Sequence, residues 1–338
     1  MLFLLADYPF MPNVRISDDP SITLNQGESS FAVYGDSIFT VCNIAERSSY
    51  AAIPFGRSID GGASFEPNYN FRDNSTGITW HTDPVIVVDH LGRLHMIVQF
   101  STAYIKHYLS VDGGLTWIDT SFVTDPSTGG DVDKPWMVSK GDTLYVVWQE
   151  FGGTNDGIRL ARSFDGGITW QRFDVMNSTG ITALDISPSG VLHLAVVSGS
   201  GIYYLKSTNK GVSWTSPRYL DYVSYSSGYS DRAPIPSISV YGENVIFISW
   251  VDDRFGTWDI LGQYSYDGGT SWSSTIRIND SISGGQCKGW VEFDPYGHLH
   301  VFYYSTQSWP TSSSSRWSVR YQISFDSGRT WMPSIRIT

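Results

Sequence analysis

The sequence predicts an all-β fold: a six-bladed β-propeller of four-stranded antiparallel blades, one domain over residues 1–338, its ring closed by the N- and C-terminal strands. Three observations carry this. One octapeptide recurs six times, its copies lie one blade-length apart, and the composition suits short strands joined by tight turns. Only 16% of the 338 residues are charged, 15% are aromatic and 33 are Gly. Helical or disordered chains do not have that profile.

The octapeptides occupy residues 58–65, 110–117, 163–170, 207–214, 265–272 and 324–331, with starts 44 to 59 residues apart. That period matches one four-stranded blade. Each copy has turn chemistry at fixed offsets. An Asp (Asn209 in the fourth copy) is expected to accept backbone N–H bonds two residues on. A Gly supplies positive φ. A closing Trp, or Phe65 in the first copy, returns to the core as an apolar plug. Each octapeptide is therefore a turn between the third and fourth strands of a blade.

Alternation around these turns sets the strands. In blade 3 the inner strand is expected at 134–139, the second at 143–150, the third at 157–163 and the outer one at 171–176. The other inner strands are expected at 29–34, 84–89, 181–186, 235–241 and 289–293. Residues 12–17 and 333–338 both resemble 274–279, which follows the fifth octapeptide. The first and last segments are thus expected to meet in one blade.

Net charge is −11, and Lys106, Lys134, Lys140, Lys206, Lys210 and Lys288 are the only lysines. Without a basic cluster, binding to a phosphate backbone lacks its main driving force, so a nucleic-acid partner is excluded. The apolar run Met1–Ala6 is shorter than a signal-peptide core and lacks a basic flank, so it is either the remnant of a trimmed signal or a buried first strand; no run reaches transmembrane length. No cofactor or metal pattern is present. Cys42 and Cys287 fall in blades that become neighbours on ring closure. They form either a disulfide locking the ring or two buried thiols.

In a propeller, the loops leading into inner strands and those joining second to third strands converge at one end of the axis. Concave, polar mouths are default ligand sites. Those loops bring Glu28, His81, Asp83, Asp131, Asp133, Lys134, Asp231, Arg232 and Lys288, together with Asn43, Arg47, Gln99, Gln149, Glu150, Asp252, Asp253, Arg254, Tyr304 and Gln307. Facing carboxyls at such a mouth can serve as acid and base, or acid and nucleophile, in glycoside hydrolysis. The catalytic candidates are Glu28, Asp83, Asp133, Glu150 and Tyr304. The substrate-binding candidates are His81, Lys134, Trp136, Arg232, Asp252, Arg254 and Lys288. Each has a structural alternative: capping a backbone N–H, bridging blades, or, for Trp136, packing between them. The loop 221–231 carries Tyr222, Tyr225 and Tyr229 among serines, a composition suited to adaptable contacts.

The octapeptide is the S-x-D-x-G-x-T-W pattern of Asp-box proteins, and nearly the whole chain resembles the sialidase-like β-propellers. The resemblance implies an extracellular or cell-surface protein whose partner is a glycan or glycoconjugate. It further implies three arginines for a sugar carboxylate, a Tyr nucleophile activated by a Glu, and an Asp acid/base. Here Val14-Arg15-Ile16-Ser17 is the nearest string to the family's first arginine segment, with Ser17 in place of Pro. Arg232 suits a second arginine, while Arg316 and Arg320 fall on or near a third strand, away from the axis. Tyr303 or Tyr304 with Glu150 would be nucleophile and activator. Glu28 stands where it would repel a carboxylate. The readings carried forward are an exo-glycosidase with an acidic axial site, a non-catalytic carbohydrate- or protein-binding propeller, and a surface scaffold.

Overall fold

A computed structural model describes residue 16 and residues 25–47, 50–67, 69–127, 129–153, 156–225, 234–308 and 315–337. Its strands form six four-stranded antiparallel sheets, and each sheet consists of four consecutive strands. Blade 1 holds β1 Asn25–Tyr34, β2 Ser37–Arg47, β3 Tyr50–Ser58 and β4 Tyr69–Phe71; blade 2 holds β5 His81–Val88, β6 Leu94–Phe100, β7 Tyr104–Ser110 and β8 Ile118–Phe122. Blade 3 holds β9 Asp131–Lys140, β10 Thr143–Phe151, β11 Gly157–Ser163 and β12 Gln171–Met176; blade 4 holds β13 Ile181–Ile186, β14 Leu192–Ser198, β15 Gly201–Ser207 and β16 Arg218–Tyr222. Blade 5 holds β17 Ser237–Tyr241, β18 Val245–Asp252, β19 Asp259–Ser265 and β20 Ile276–Arg277; blade 6 holds β21 Gly285–Phe293, β22 Leu299–Thr306, β23 Ser318–Ser324 and β24 Ile335–Arg336. The molecule is a six-bladed, all-β propeller.

The core lies between the blades. Each junction from blade 1 through blade 6 is filled by one cluster of buried side chains. At the blade 1–blade 2 junction Phe39, Val41, Ile53 and Phe55 meet Ile86, Leu94, Met96 and Tyr108. Burying each such large apolar side chain contributes about 1.5–3 kcal/mol. The outermost strand of blade 6 is β24, at the C-terminal end of the chain. The N-terminal strand expected at 12–17 lies outside the described residues except for Ile16, whose side chain sits beside Gly56 of β3.

The octapeptides are the turns between third and fourth strands, as expected, but their hydrogen bonding differs in reach. The Asp carboxylate accepts the amide four residues on, as in Ser64 N to Asp60 Oδ1 at 2.9 Å and Thr116 N to Asp112 Oδ1 at 2.9 Å. The amide two residues on, that of the second Gly, goes instead to the leading Ser hydroxyl, as in Gly114 N to Ser110 Oγ at 2.8 Å. In the fourth copy Asn209 keeps the backbone bond (Ser213 N to Oδ1, 3.0 Å), and its Nδ2 donates to Ser213 Oγ at 2.8 Å.

Cys42 is half-buried and Cys287 buried, and both remain thiols; the alternative of a disulfide across the closure is not realised. Burial pushes the Cys42 thiol up to about 11.

Candidate functional site at the axial mouth

Four inner strands break their alternation at the same place. Glu28 in β1, Asp83 in β5, Lys134 in β9 and Lys288 in β21 all have positive φ, between 46° and 52°. Each sits at a register shift between the first and second strands of its blade. A bulge of this kind re-aims a side chain, and a non-Gly residue held at positive φ is a local cost that the surrounding sheet must sustain. Blades 4 and 5 show no such shift between their first two strands. The bulged, charged part of the mouth is therefore the arc of blades 6, 1, 2 and 3.

Beside each bulge, the second strand offers an equivalent residue. Asn43 pairs with Gly27, Gln99 with Thr82, Gln149 with Asp133 and Tyr304 with Cys287. Three of these are amides, and they hold the acids. Asn43 Nδ2 donates to Glu28 Oε2, and to Thr82 Oγ1 at 2.8 Å. Gln99 and Gln149 each reach one oxygen of Asp133, both at 3.4 Å.

At the centre lies a three-blade junction. Lys134 Nζ is 2.5 Å from Glu28 Oε1 and 3.1 Å from Asp83 Oδ2. The Glu28 and Asp83 carboxyls lie close enough on Lys134 for each to shift the other's proton affinity. Burial first, and then Asp83, push Glu28 up to about 7. Burial would raise Asp83 as well, but the hydrogen bond from Glu28 and the Lys134 charge outweigh it and hold Asp83 below the usual carboxylate range. Asp133 is raised by burial and by Asp83, with Lys134 opposing. Lys134 stays charged: Asp83 and Glu28 raise it against its own desolvation. Two carboxyls with protonation behaviour pushed apart are the usual signature of an acid and its conjugate partner.

The mouth has an aromatic floor. Trp136 and Trp290 stand two residues past the bulges of blades 3 and 6, about 6–7 Å deeper at strand rise. Blades 3 and 6 lie opposite each other, yet the two rings meet with centroids 4.8 Å apart. Beyond that contact, toward the octapeptide end, are Asp185 of β13 and Glu292 of β21. Burial lifts Asp185 to about 7; burial and Asp185 lift Glu292 to about 8.

The remaining candidates are placed elsewhere. His81 is buried and accounted for: it accepts from or donates to the Asp73 and Thr79 backbone, and its ring packs on Phe100. Asp252 is fully buried and binds Arg254 N, Nε and Nη2 together with Ser224 N, while Arg254 also reaches Asp221. These two residues close a turn between blades 4 and 5. Glu150 lies 3.7 Å from Arg159, which also meets Asp174. Tyr304 is half-exposed at the mouth in blade 6, across the ring from Glu150 in blade 3. Arg232 lies outside the described residues. Arg320 is tied to Ser334 at the outer edge of blade 6.

One cluster among the described residues has metal-like spacing, Asp89, His90 and Asp142. It lies at the octapeptide end, and Arg93 already bridges Asp89 and Asp142 at 2.6 and 3.0 Å. Two features were not anticipated from sequence: Trp290 as part of the floor, and the Asp185–Glu292 pair. Among the described residues no helix is long and apolar enough to cross a membrane.

Comparison with known proteins bears on this geometry. The family model described as BNR/Asp-box repeat matches residues 161–172, the third octapeptide. The chain thus carries an Asp-box repeat on a propeller whose fold is that of the solved structures below. An intramolecular trans-sialidase from Ruminococcus gnavus superposes with a TM-score of 0.62 at 13% identity, covering 91% of this chain and 96% of that one. An α-L-arabinofuranosidase from Fusarium graminearum gives 0.62 at 15% identity, covering 92% and 97%. A protein of unknown function from Dyadobacter fermentans gives 0.61 at 12%, covering 92% and 96%. At these identities the likeness is one of fold. No curated protein matches the sequence.

Proposed function

We propose that this Asp-box propeller is a glycoside hydrolase that acts outside the cell on a glycan held in the axial mouth. One observation carries the reading: Lys134 joins the carboxyls of Glu28 and Asp83 above a floor of two tryptophans. Glu28 is the proton donor. Its protonated carboxyl delivers a proton to the glycosidic oxygen as the bond to the anomeric carbon breaks. Asp133, held by Gln99 and Gln149, is the carboxylate of the opposite role, acting on water or directly on the anomeric carbon. The Trp136 and Trp290 rings offer an apolar platform for the sugar face. The solved neighbours that are glycosidases support the same chemistry on the same fold.

The test is a panel of defined glycans read by mass spectrometry for retention and for mass loss. Loss of a sugar by the wild type, abolished in Glu28→Gln and Asp133→Asn, supports hydrolysis. Retention without mass loss favours the second reading, a carbohydrate-binding propeller that uses the tryptophan floor. Neither retention nor mass loss with any glycan sinks both.

A further inference from the structure

We infer that the sugar unit this mouth recognises is neutral and carries no carboxylate or sulfate group. The inference rests on the hydrolytic reading above and narrows it to a substrate class.

The argument is one of charge placement. An acidic sugar needs a cation free to meet it. Lys134 reaches the centre of the mouth, but its ammonium already lies on Glu28 Oε1 and Asp83 Oδ2. A third carboxyl, Asp133, has the neutral amides of Gln99 and Gln149 as its side-chain donors among the described residues. Three carboxyls, those of Glu28, Asp83 and Asp133, thus stand around one ammonium at this junction. Arg159, at the edge of blade 3, is turned to Glu150 and Asp174, and Arg254 to Asp252 and Asp221. Lys288 is exposed at the equivalent bulge of blade 6 and is the one cation among the four bulge residues not held by acids at this junction. At this junction, among the described residues, an incoming anion thus meets more acids than ammonium groups, while the exposed Lys288 stands apart in blade 6. Sugar hydroxyls fit the same groups well, because carboxylates and amide oxygens accept their hydrogen bonds.

The closing experiment compares matched aryl glycosides: neutral pentosides and hexosides against uronides and sialosides. It uses wild type and Asp83→Asn, the variant that releases Lys134 from one acid. Turnover and equilibrium retention are both read. The expected result is a preference of at least about tenfold for a neutral glycoside, equivalent to about 1.4 kcal/mol, and a smaller gap in retention for Asp83→Asn. A wild-type preference for a uronide or sialoside overturns the inference and leaves the hydrolytic reading standing. Failure to retain or cleave any glycoside overturns both.

Discussion

Glu28 and Glu292 are both carboxyls raised by desolvation, and the consequences differ because Glu28 lies at the proposed substrate mouth and Glu292 toward the octapeptide end. Glu28 is pushed up to about 7, so in the proposed hydrolysis it is the protonated donor below that pH and loses its proton above it. Cleavage is therefore expected to fall as pH rises through about 7, and a pH–rate profile flat from 6 to 9 would contradict the donor role. Glu292 keeps access to water beyond the tryptophans, yet desolvation and the neighbouring Asp185 raise it to about 8 against an ordinary value of 4.5. The folded state thus binds a proton that the unfolded chain has already released. Its contribution to stability is complete below about 4.5 and is lost as pH rises through 8. Glu292→Gln is accordingly expected to raise the melting temperature at pH 9 and leave it nearly unchanged at pH 4. Equal shifts at both pH values would show that Glu292 does not titrate as described.

At the scale of the element, the octapeptide turn is a joint between blades. Its second Gly lies where a Cβ would strike the blade before it. At Gly114 the clash is with Phe55, at Gly167 with His107, at Gly211 with Leu160 and at Gly269 with Tyr204. Carbonyls of the same turns accept from the preceding blade: Lys206 Nζ donates to Gly268 O at 2.8 Å and Ser121 Oγ to Gly167 O at 2.6 Å. The repeat is thus explained by assembly, with no role at the mouth. Gly269→Ala combines positive φ with a Cβ 2.3 Å from the Tyr204 ring, while Gly61→Ala has positive φ and open space. The first is expected to cost at least about 2 kcal/mol and the second about 1 kcal/mol, read as denaturant midpoints. The bulges are elements of the opposite kind. They shorten the stretch that alternation can detect, which is why the inner strands of blades 1, 2, 3 and 6 begin three or four residues before their expected starts. In blade 4, without a bulge, the expected 181–186 matches β13.

Across the whole molecule, the filled junctions couple each blade to the next. A blade removed from its neighbours would expose one face of at least one cluster such as Phe247, Ile260, Val291 and Val301 at the blade 5–blade 6 junction. Thermal unfolding followed by both far-UV and tryptophan signals is expected to give one coincident transition. Two resolved transitions would mean that a group of blades folds as a separate unit. The mouth depends on this coupling, since its central contact joins blades 1, 2 and 3 and its floor joins blades 3 and 6.

The sequence by itself determined the number of blades, the place of every octapeptide turn and the list of loops that meet at the axis, because these follow from local period and turn chemistry. It placed Glu28, Asp83, Asp133 and Lys134 at the mouth as separate candidates. Only the tertiary structure decided that they form one junction. That required positive φ at non-Gly residues, a choice made by the sheet and not by the residue type. The same holds for the pairing of Trp136 with Trp290 and of Asp185 with Glu292. These partners lie more than 100 residues apart, and nothing but closure of the ring brings them together. His81, Asp252 and Arg254 had the right residue types in the right loops, yet burial and backbone partners took them up, because an unpaired polar group inside the fold costs more than a paired one.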